Sequence, residues 1–291
     1  MHRLHKDVGM AVGLLLFVCL LAQSFFVLSV RLRNQYYAQF YDGIYQMSAA
    51  NVSGFHVVSV GNRLEKAHYL VDSAKQWSLP LTVLGVGSQW QGLLDKPLHL
   101  QAYLQHLPDH DIVMFVDAYD VFIHASSSDL IQTFKSFNKP LVFSTDNWLF
   151  PDIDVGSKYP SMPSSIVFRY LNSGASIGYV WAYKEMLKSF FATQCADALG
   201  RIHSTKRTLN LHQENDQRCA TTYYLSHPDR VVLDHEMKLF AGLNELHNQK
   251  YFSVLAGGAI LNHITHQRSK VFHGNGFTGK MFLDVLYKRL H

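Results

Sequence analysis

Hydrophobic positions along the chain fall into two patterns. Residues 8–30, VGMAVGLLLFVCLLAQSFFVLSV, run without a charged side chain. At 1.5 Å of rise per residue such a helix reaches about 35 Å, enough to cross a hydrocarbon core of roughly 30 Å. Arg3, Lys6 and Asp7 close one end, Arg31 and Arg33 the other. A cleaved leader is the competing reading. The stretch is longer than a usual leader's apolar region, and Ala22-Gln23-Ser24 is a weak cleavage triplet. The pattern predicts an uncleaved transmembrane anchor at residues 8–30, after a short cytosolic tail (1–7) and before a tyrosine-rich stem (31–54).

From residue 55 the pattern changes to short apolar runs separated by segments of helical period. His56–Val60, Leu81–Leu84, Asp111–Val116 and Leu141–Ser144 read as buried strands. Between them, Arg63–Trp77, Leu98–Leu107 and Asp129–Phe137 read as helices. The second half is less regular: a strand near Ala175–Val180, helices near Tyr183–Phe191 and Asp216–Leu225, and a strand at Val231–Leu233. Strands separated by helices predict an α/β fold with a Rossmann-type, mostly parallel central sheet flanked by helices. Ligands of such sheets bind outside the carboxyl ends of the strands. No repeat or low-complexity linker interrupts residues 55–291, which read as one domain.

Composition narrows the choice of function. With 48% hydrophobic and 16% charged residues, wholesale disorder is excluded. The net charge of +4 is scattered, without the lysine-arginine run of a nucleic-acid binder, so no nucleic-acid partner is expected. Cys19 lies in the apolar stretch; Cys195 and Cys219 lack metal-ligand spacing and are free to pair if the body is lumenal. Asn51-Val52-Ser53 is a glycosylation triplet just beyond the anchor and favours that side.

The apolar run Asp111–Val116 ends abruptly in Asp117-Ala118-Tyr119-Asp120. Two carboxylates at a strand's end suit Mg²⁺ or Mn²⁺, and such an ion can bridge a diphosphate and neutralise a leaving nucleotide. Tyr119 between them offers a stacking face to a base. An aspartate after a strand is as readily a turn former or a helix cap, so the pair gains weight only from its company. Val271-Phe272-His273-Gly274-Asn275-Gly276 supplies an imidazole, a candidate third ligand, and glycines that let backbone approach phosphate. Arg169-Tyr170-Leu171-Asn172-Ser173-Gly174 reads as a polar turn ahead of a strand, and Glu214-Asn215-Asp216-Gln217 as a helix start.

Together these segments resemble the glycosyltransferase domain of the collagen lysyl hydroxylases and, more distantly, the procollagen galactosyltransferases. The matching pieces, in the family's order, are HVVSVGN, VLGVGSQWQG, DIVMFVDAYDVFI, RYLNSGASIG, NDQRCATTYYL, LDHEMKLFAGLN and VFHGNG, spread from about Phe55 to Lys280. The resemblance implies a GT-A fold, a UDP-sugar donor and Mn²⁺ (or Mg²⁺). It implies Asp117, Asp120 and His273 as metal ligands, Tyr119 stacked on the uracil, and Val60 and Asn62 near the base. It further implies Trp90 in a loop approaching the donor, Asn172 and Asp216 facing the sugar as catalytic residues, and Gly274 and Asn275 lining the diphosphate. The chain departs from the family in three places. Asn215 interrupts an acidic run, Asn62 stands for threonine, and Leu93-Leu94-Asp95 replaces a glycine-rich approach to a lysine, which leaves Lys96 without an expected role.

The expected function is transfer of glucose or galactose from a UDP-sugar to a hydroxyl of a protein or glycan acceptor. The expected setting is a single-pass type II membrane protein of the endoplasmic reticulum or Golgi with a lumenal body. The alternatives are a non-catalytic lumenal protein that binds nucleotide-sugars or glycans on the same fold, and a sugar-nucleotide hydrolase.

Overall fold

The computed structural model describes residues 43–47, 53–192, 215–244, 251–256 and 258–290. The expected anchor, Asn51, Cys195 and Glu214 lie outside them. Among the described residues no helix is long and apolar enough to cross a membrane.

A seven-stranded sheet has the order β1-β3-β2-β4-β7-β6-β8. Its strands are β1 (Tyr45–Gln46), β2 (Phe55–Val60), β3 (Leu81–Leu84), β4 (Ile112–Asp117), β6 (Leu141–Asp146), β7 (Tyr170–Tyr179) and β8 (Val231–Leu233). Helices α1 (His68–Gln76), α2 (Asp95–Leu104), α3 (Ser127–Ser136), α4 (Val180–Ala192) and α5 (Asp216–Ser226) accompany it. A three-stranded sheet, β5-β12-β9, joins β5 (Val121–Ile123), β9 (Phe240–Gly242) and β12 (Val271–His273). A hairpin of β10 (Phe252–Val254) and β11 (Ile260–Asn262) precedes β12, and α6 (Gly276–Lys288) follows it.

The expected elements recur with corrected bounds. Arg63–Trp77 divides into a 3-10 turn at Leu64–Lys66 and α1, and the helix expected at Leu98 starts earlier, at Asp95. Within the segment read as stem, Tyr45 and Gln46 pair antiparallel with β3.

The larger correction concerns direction. The sheet is mixed, because β7 runs antiparallel to both β4 and β6. A parallel β7 would need a crossover back over the sheet. Residues 147–169 hold only the 3-10 turn Ile153–Lys158, and the chain re-enters the sheet at the edge it left. The Asn172-Ser173-Gly174 segment therefore lies inside β7, not in a turn ahead of it.

Alternation along β4 explains why the sheet is firm. Val113 and Phe115 join a core with Leu141, Tyr183 and Leu187 on one face. Ile112, Met114 and Val116 join Leu130, Phe134 and Ile177 on the other. Each such fully buried side chain contributes roughly 1.5–3 kcal/mol. A third core of Phe122, Ala241, Phe272, Phe282 and Leu286 fixes the small sheet to α6.

Candidate active site

Strand direction assembles the site. β4 and β6 both end in aspartate, Asp117 and Asp146, and flank the antiparallel β7. The start of β7 therefore reaches the edge where those two strands finish. The β6–β7 register jumps from Phe143↔Ser176 to Ser144↔Asn172, so Ser173, Gly174 and Ala175 have no partners on β6. Such a bulge re-aims side chains. Here Asn172, Ser173 and Gly174 line a cleft of about 370 Å³ together with Lys96, Asp117, Asp120, Asp146, Asp216 and His273.

His273 arrives by β pairing. β12 runs antiparallel to β5, in a register that sets His273 opposite Val121, directly after Asp120. The amide of Gly274 then donates to the carbonyl of Asp120 at 2.7 Å. His273 Nε2 lies 3.6 Å from Asp120 Oδ1 and 3.8 Å from Asp117 Oδ2. One ligand atom from each of the three residues falls within 4.8 Å of the others. Ligands around a small divalent ion at about 2.1 Å stand roughly 3 to 4.3 Å apart, so the set fits a cation. Gly174 makes room for the imidazole: a Cβ there would sit 2.0 Å from His273 Cε1.

Electrostatics separate the two aspartates. Burial pushes Asp117 above the usual carboxylate range, against the pull of Lys96 and His273. Burial also opposes charge on Asp120, but His273 and Lys280 outweigh it and hold that carboxyl below the ordinary value. His273 is itself raised, because Asp120 overcomes the effect of burying the ring.

Lys96 is the residue the sequence undervalued. Its Nζ lies 2.7 Å from Asp117 Oδ1 and 3.5 Å from Asp216 Oδ2. Burial works against its charge, yet Asp117 and Asp216 hold it above the ordinary lysine range. Asp216 also accepts a bond from Ser173 Oγ at 3.2 Å. The lysine thus ties Asp117, one member of the candidate ion cluster, to Asp216, a second carboxylate lining the cleft. Asn215, the departure from the acidic run, caps α5: its Oδ1 accepts from the amides of Gln217 and Arg218. Asparagine caps as well as aspartate, so the substitution leaves this helix start intact.

The PLOD GT domain family matches residues 52–289. The chain belongs to this family. Human procollagen-lysine,2-oxoglutarate 5-dioxygenase 2 is 27% identical over 227 residues, covering 72% of this chain and 28% of that protein. The human multifunctional procollagen lysine hydroxylase and glycosyltransferase LH3 is 26% identical over 230 residues, covering 74% of this chain and 28% of that protein. This chain thus spans little more than a quarter of these curated relatives. Among solved structures, apo mouse xyloside xylosyltransferase 1 aligns at a TM-score of 0.45 and 11% identity, over 76% of this chain and 97% of that one.

Within this PLOD-type glycosyltransferase domain, the cleft gathers six of the eleven site residues expected from sequence: Asp117, Asp120, Asn172, Asp216, His273 and Asn275. Val60, Asn62, Trp90, Tyr119 and Gly274 are not among its lining residues. Tyr119 packs its ring against Gly61 and donates its hydroxyl to Asn62 Oδ1 at 2.9 Å. Val60 pairs beside Asp117 and is buried. Gly274 packs against Gly279, where a Cβ would come within 2.8 Å of the Gly279 carbonyl.

Asp146, Trp148, Phe150 and Gln217 also line the cleft and were not singled out from sequence. Asp146 carried a partial signal, since a strand that begins with the apolar run Leu141-Val142-Phe143 ends in it, as β4 ends in Asp117. Burial pushes its carboxyl up, while Asn275 Nδ2 donates to it at 2.5 Å and the Trp148 amide at 3.2 Å. Cys219, on α5, is disulfide-bonded; its partner lies outside the described residues.

Proposed function

We propose that the chain is a metal-dependent hexosyltransferase of GT-A type, moving glucose or galactose from a UDP-sugar to a hydroxyl of a protein or glycan. The charge balance of the cleft carries this reading. Four carboxylates, Asp117, Asp120, Asp146 and Asp216, line it against one lining lysine, Lys96, with Lys280 reaching Asp120 at 3.4 Å from outside the lining. An anionic nucleotide-sugar enters such a cleft favourably only beside a cation, and three ligand atoms converge where one is needed.

Asp117, Asp120 and His273 are the residues that would hold Mn²⁺ (or Mg²⁺), hard carboxylate oxygens with one imidazole nitrogen. The ion, when bound, supplies Lewis-acid neutralisation of the departing diphosphate. Lys96 fixes Asp117 from behind and holds Asp216 on the sugar side. Asn172, whose Oδ1 accepts from the Gly174 amide at 2.8 Å, is oriented towards the same space. Tyr119, steadied by Asn62, presents a ring to the base, and Trp90 stands on the neighbouring loop. Asn275 and Gly274 lie on the diphosphate side.

The apolar segment at residues 8–30 supports a membrane-anchored setting. The disulfide at Cys219 supports an oxidising compartment, in keeping with a lumenal body in the endoplasmic reticulum or Golgi.

The test is calorimetric titration of the detergent-solubilised full chain with UDP, with and without Mn²⁺. UDP release is then followed from UDP-glucose and UDP-galactose, with and without peptide and glycan acceptors. The reading predicts Mn²⁺-dependent binding and acceptor-dependent release. Binding without any turnover returns the chain to a nucleotide-sugar-binding role, and release indifferent to acceptor makes it a hydrolase.

A further inference from the structure

The rim of the cleft is held by a device that no donor-binding residue requires. Trp148 and Phe150 line the cleft yet are 57% and 53% exposed, whereas His273, Asp216 and Asn172 on its floor are 4%, 7% and 6% exposed. Both aromatics sit on the excursion 147–169, which has no strand and only one short 3-10 turn to stiffen it. Two residues past Phe150, Asp152 meets Arg218 as a two-pronged pair: Nε to Oδ2 at 2.7 Å and Nη2 to Oδ1 at 3.1 Å. Both side chains are 11% exposed, so the pair is shielded from most of the solvent screening that weakens surface ion pairs. Asp152 occupies the position before the 3-10 turn but makes no capping bond to it; its carboxylate turns to Arg218. A second tie runs alongside. Gln217 donates through Nε2 to the Phe150 carbonyl at 2.8 Å and accepts at Oε1 from the Ser173 amide at 3.1 Å.

Arg218 and Gln217 are neighbours on the first turn of α5, the turn that begins with Asp216. The rim aromatics and the floor carboxylate are thus fastened to the same helical turn. We propose that Arg218 and Asp152 are a positioning pair, setting Trp148 and Phe150 over the cleft so that the second substrate is received in register with Asp216. This rests on the transferase reading above. Neither Asp152 nor Arg218 lines the cleft that holds the candidate ion ligands, so donor and acceptor steps should respond differently to the pair's loss.

The experiment uses the full chain labelled with 5-fluorotryptophan, which has four reporter sites, Trp77, Trp90, Trp148 and Trp181. Trp148→Phe identifies the Trp148 fluorine resonance. In Arg218→Met that resonance should shift or broaden while those of Trp77 and Trp181 stay in place, and the calorimetric affinity for UDP with Mn²⁺ should stay within about twofold of wild type. The kinetic arm uses the wild type's best acceptor among free hydroxylysine, a serine peptide and methyl β-galactoside. Its KM should rise about tenfold, with kcat and the donor KM near wild type. Asp152→Asn is the second variant should Arg218→Met not fold, and the swap Asp152→Arg/Arg218→Asp should recover part of the loss.

An unchanged Trp148 resonance overturns the proposal. So does an acceptor KM that rises no more than the donor KM, the mark of a merely structural tie. If the wild type uses none of these acceptors, the transferase reading fails by itself, and the Trp148 resonance still decides whether the pair positions the rim.

Discussion

The floor and the rim of the cleft are built on opposite plans. The floor carries charge on strand ends backed by packed cores: Asp117 ends a strand with five buried apolar residues behind it, and His273 ends another. Glycines lock it sterically, Gly174 against the imidazole and Gly274 against Gly279. The rim carries exposed aromatics on an irregular excursion, fastened by polar side-chain bonds from α5. Packing leaves no room on the floor for a methyl group at Gly174 or Gly274. Polar bonds hold the rim and leave its rings open to contact. In the transferase reading, chemistry that tolerates little displacement sits on the first plan, and recognition on the second.

Substitutions can break this division. Asp120→Ala should weaken Mn²⁺-dependent UDP binding on the order of 10³-fold, about 4 kcal/mol, while far-ultraviolet dichroism stays native. Binding at similar affinity in that variant would falsify the metal corner. Lys96→Met leaves Asp117 without its buried counter-charge and should cost about 3 kcal/mol of metal-free stability in urea titrations. A loss much smaller than that would show the lysine to be incidental to the floor.

Asp234 tests the support beneath the floor, because it accepts from the amides of Lys238, Leu239 and Phe240 where the chain enters β9, the strand beside β12. Burial, only partly offset by those amides, pushes its carboxyl up to about 6. A raised folded-state value means the stabilising contribution is complete below the unfolded value near 4 and lost as pH rises through 6. Wild type should therefore lose up to about 3 kcal/mol between pH 4 and 7 relative to Asp234→Asn, which does not titrate. Parallel pH profiles of unfolding for the two proteins would remove this support.

Gly174→Ala displaces the imidazole and should weaken Mn²⁺ on the order of 10- to 100-fold with little effect on secondary structure. Trp148→Ala belongs to the rim. It should leave the affinity for UDP with Mn²⁺ unchanged and raise the acceptor KM about tenfold. Equal effects of the last two variants on metal and acceptor would erase the distinction between floor and rim.

The parts of the molecule that a sequence displays well are those with local period. The apolar run before Asp117, the helices at α1, α3 and α5 and the glycine-flanked His273 all announce themselves over a few residues. Direction is not local. Nothing in Tyr170–Tyr179 says that the strand runs backwards, so the Asn172-Ser173-Gly174 segment read as a turn, and the bulge that aims it was invisible. Lys96 was discounted because its approach lacks glycines, yet α2 begins at Asp95 and delivers the ammonium from a helix rather than from a loop. Asp146 lay two positions beyond the strand read as Leu141–Ser144. Arg218 and Asp152 are 66 residues apart, with no local signal linking them.

His273 reaches Asp120 from 153 positions further along the chain, through a three-residue strand laid beside β5. During synthesis the ribosome has already released both aspartates, the lysine and Asp216 before the histidine exists. A nascent chain therefore lacks the third of the three candidate ligands until β12 is made, and the earlier acidic cluster must wait without it. In the metal-dependent reading, capacity to hold the ion is thereby a check on assembly: it would appear only when the late strand has found its place beside the early one.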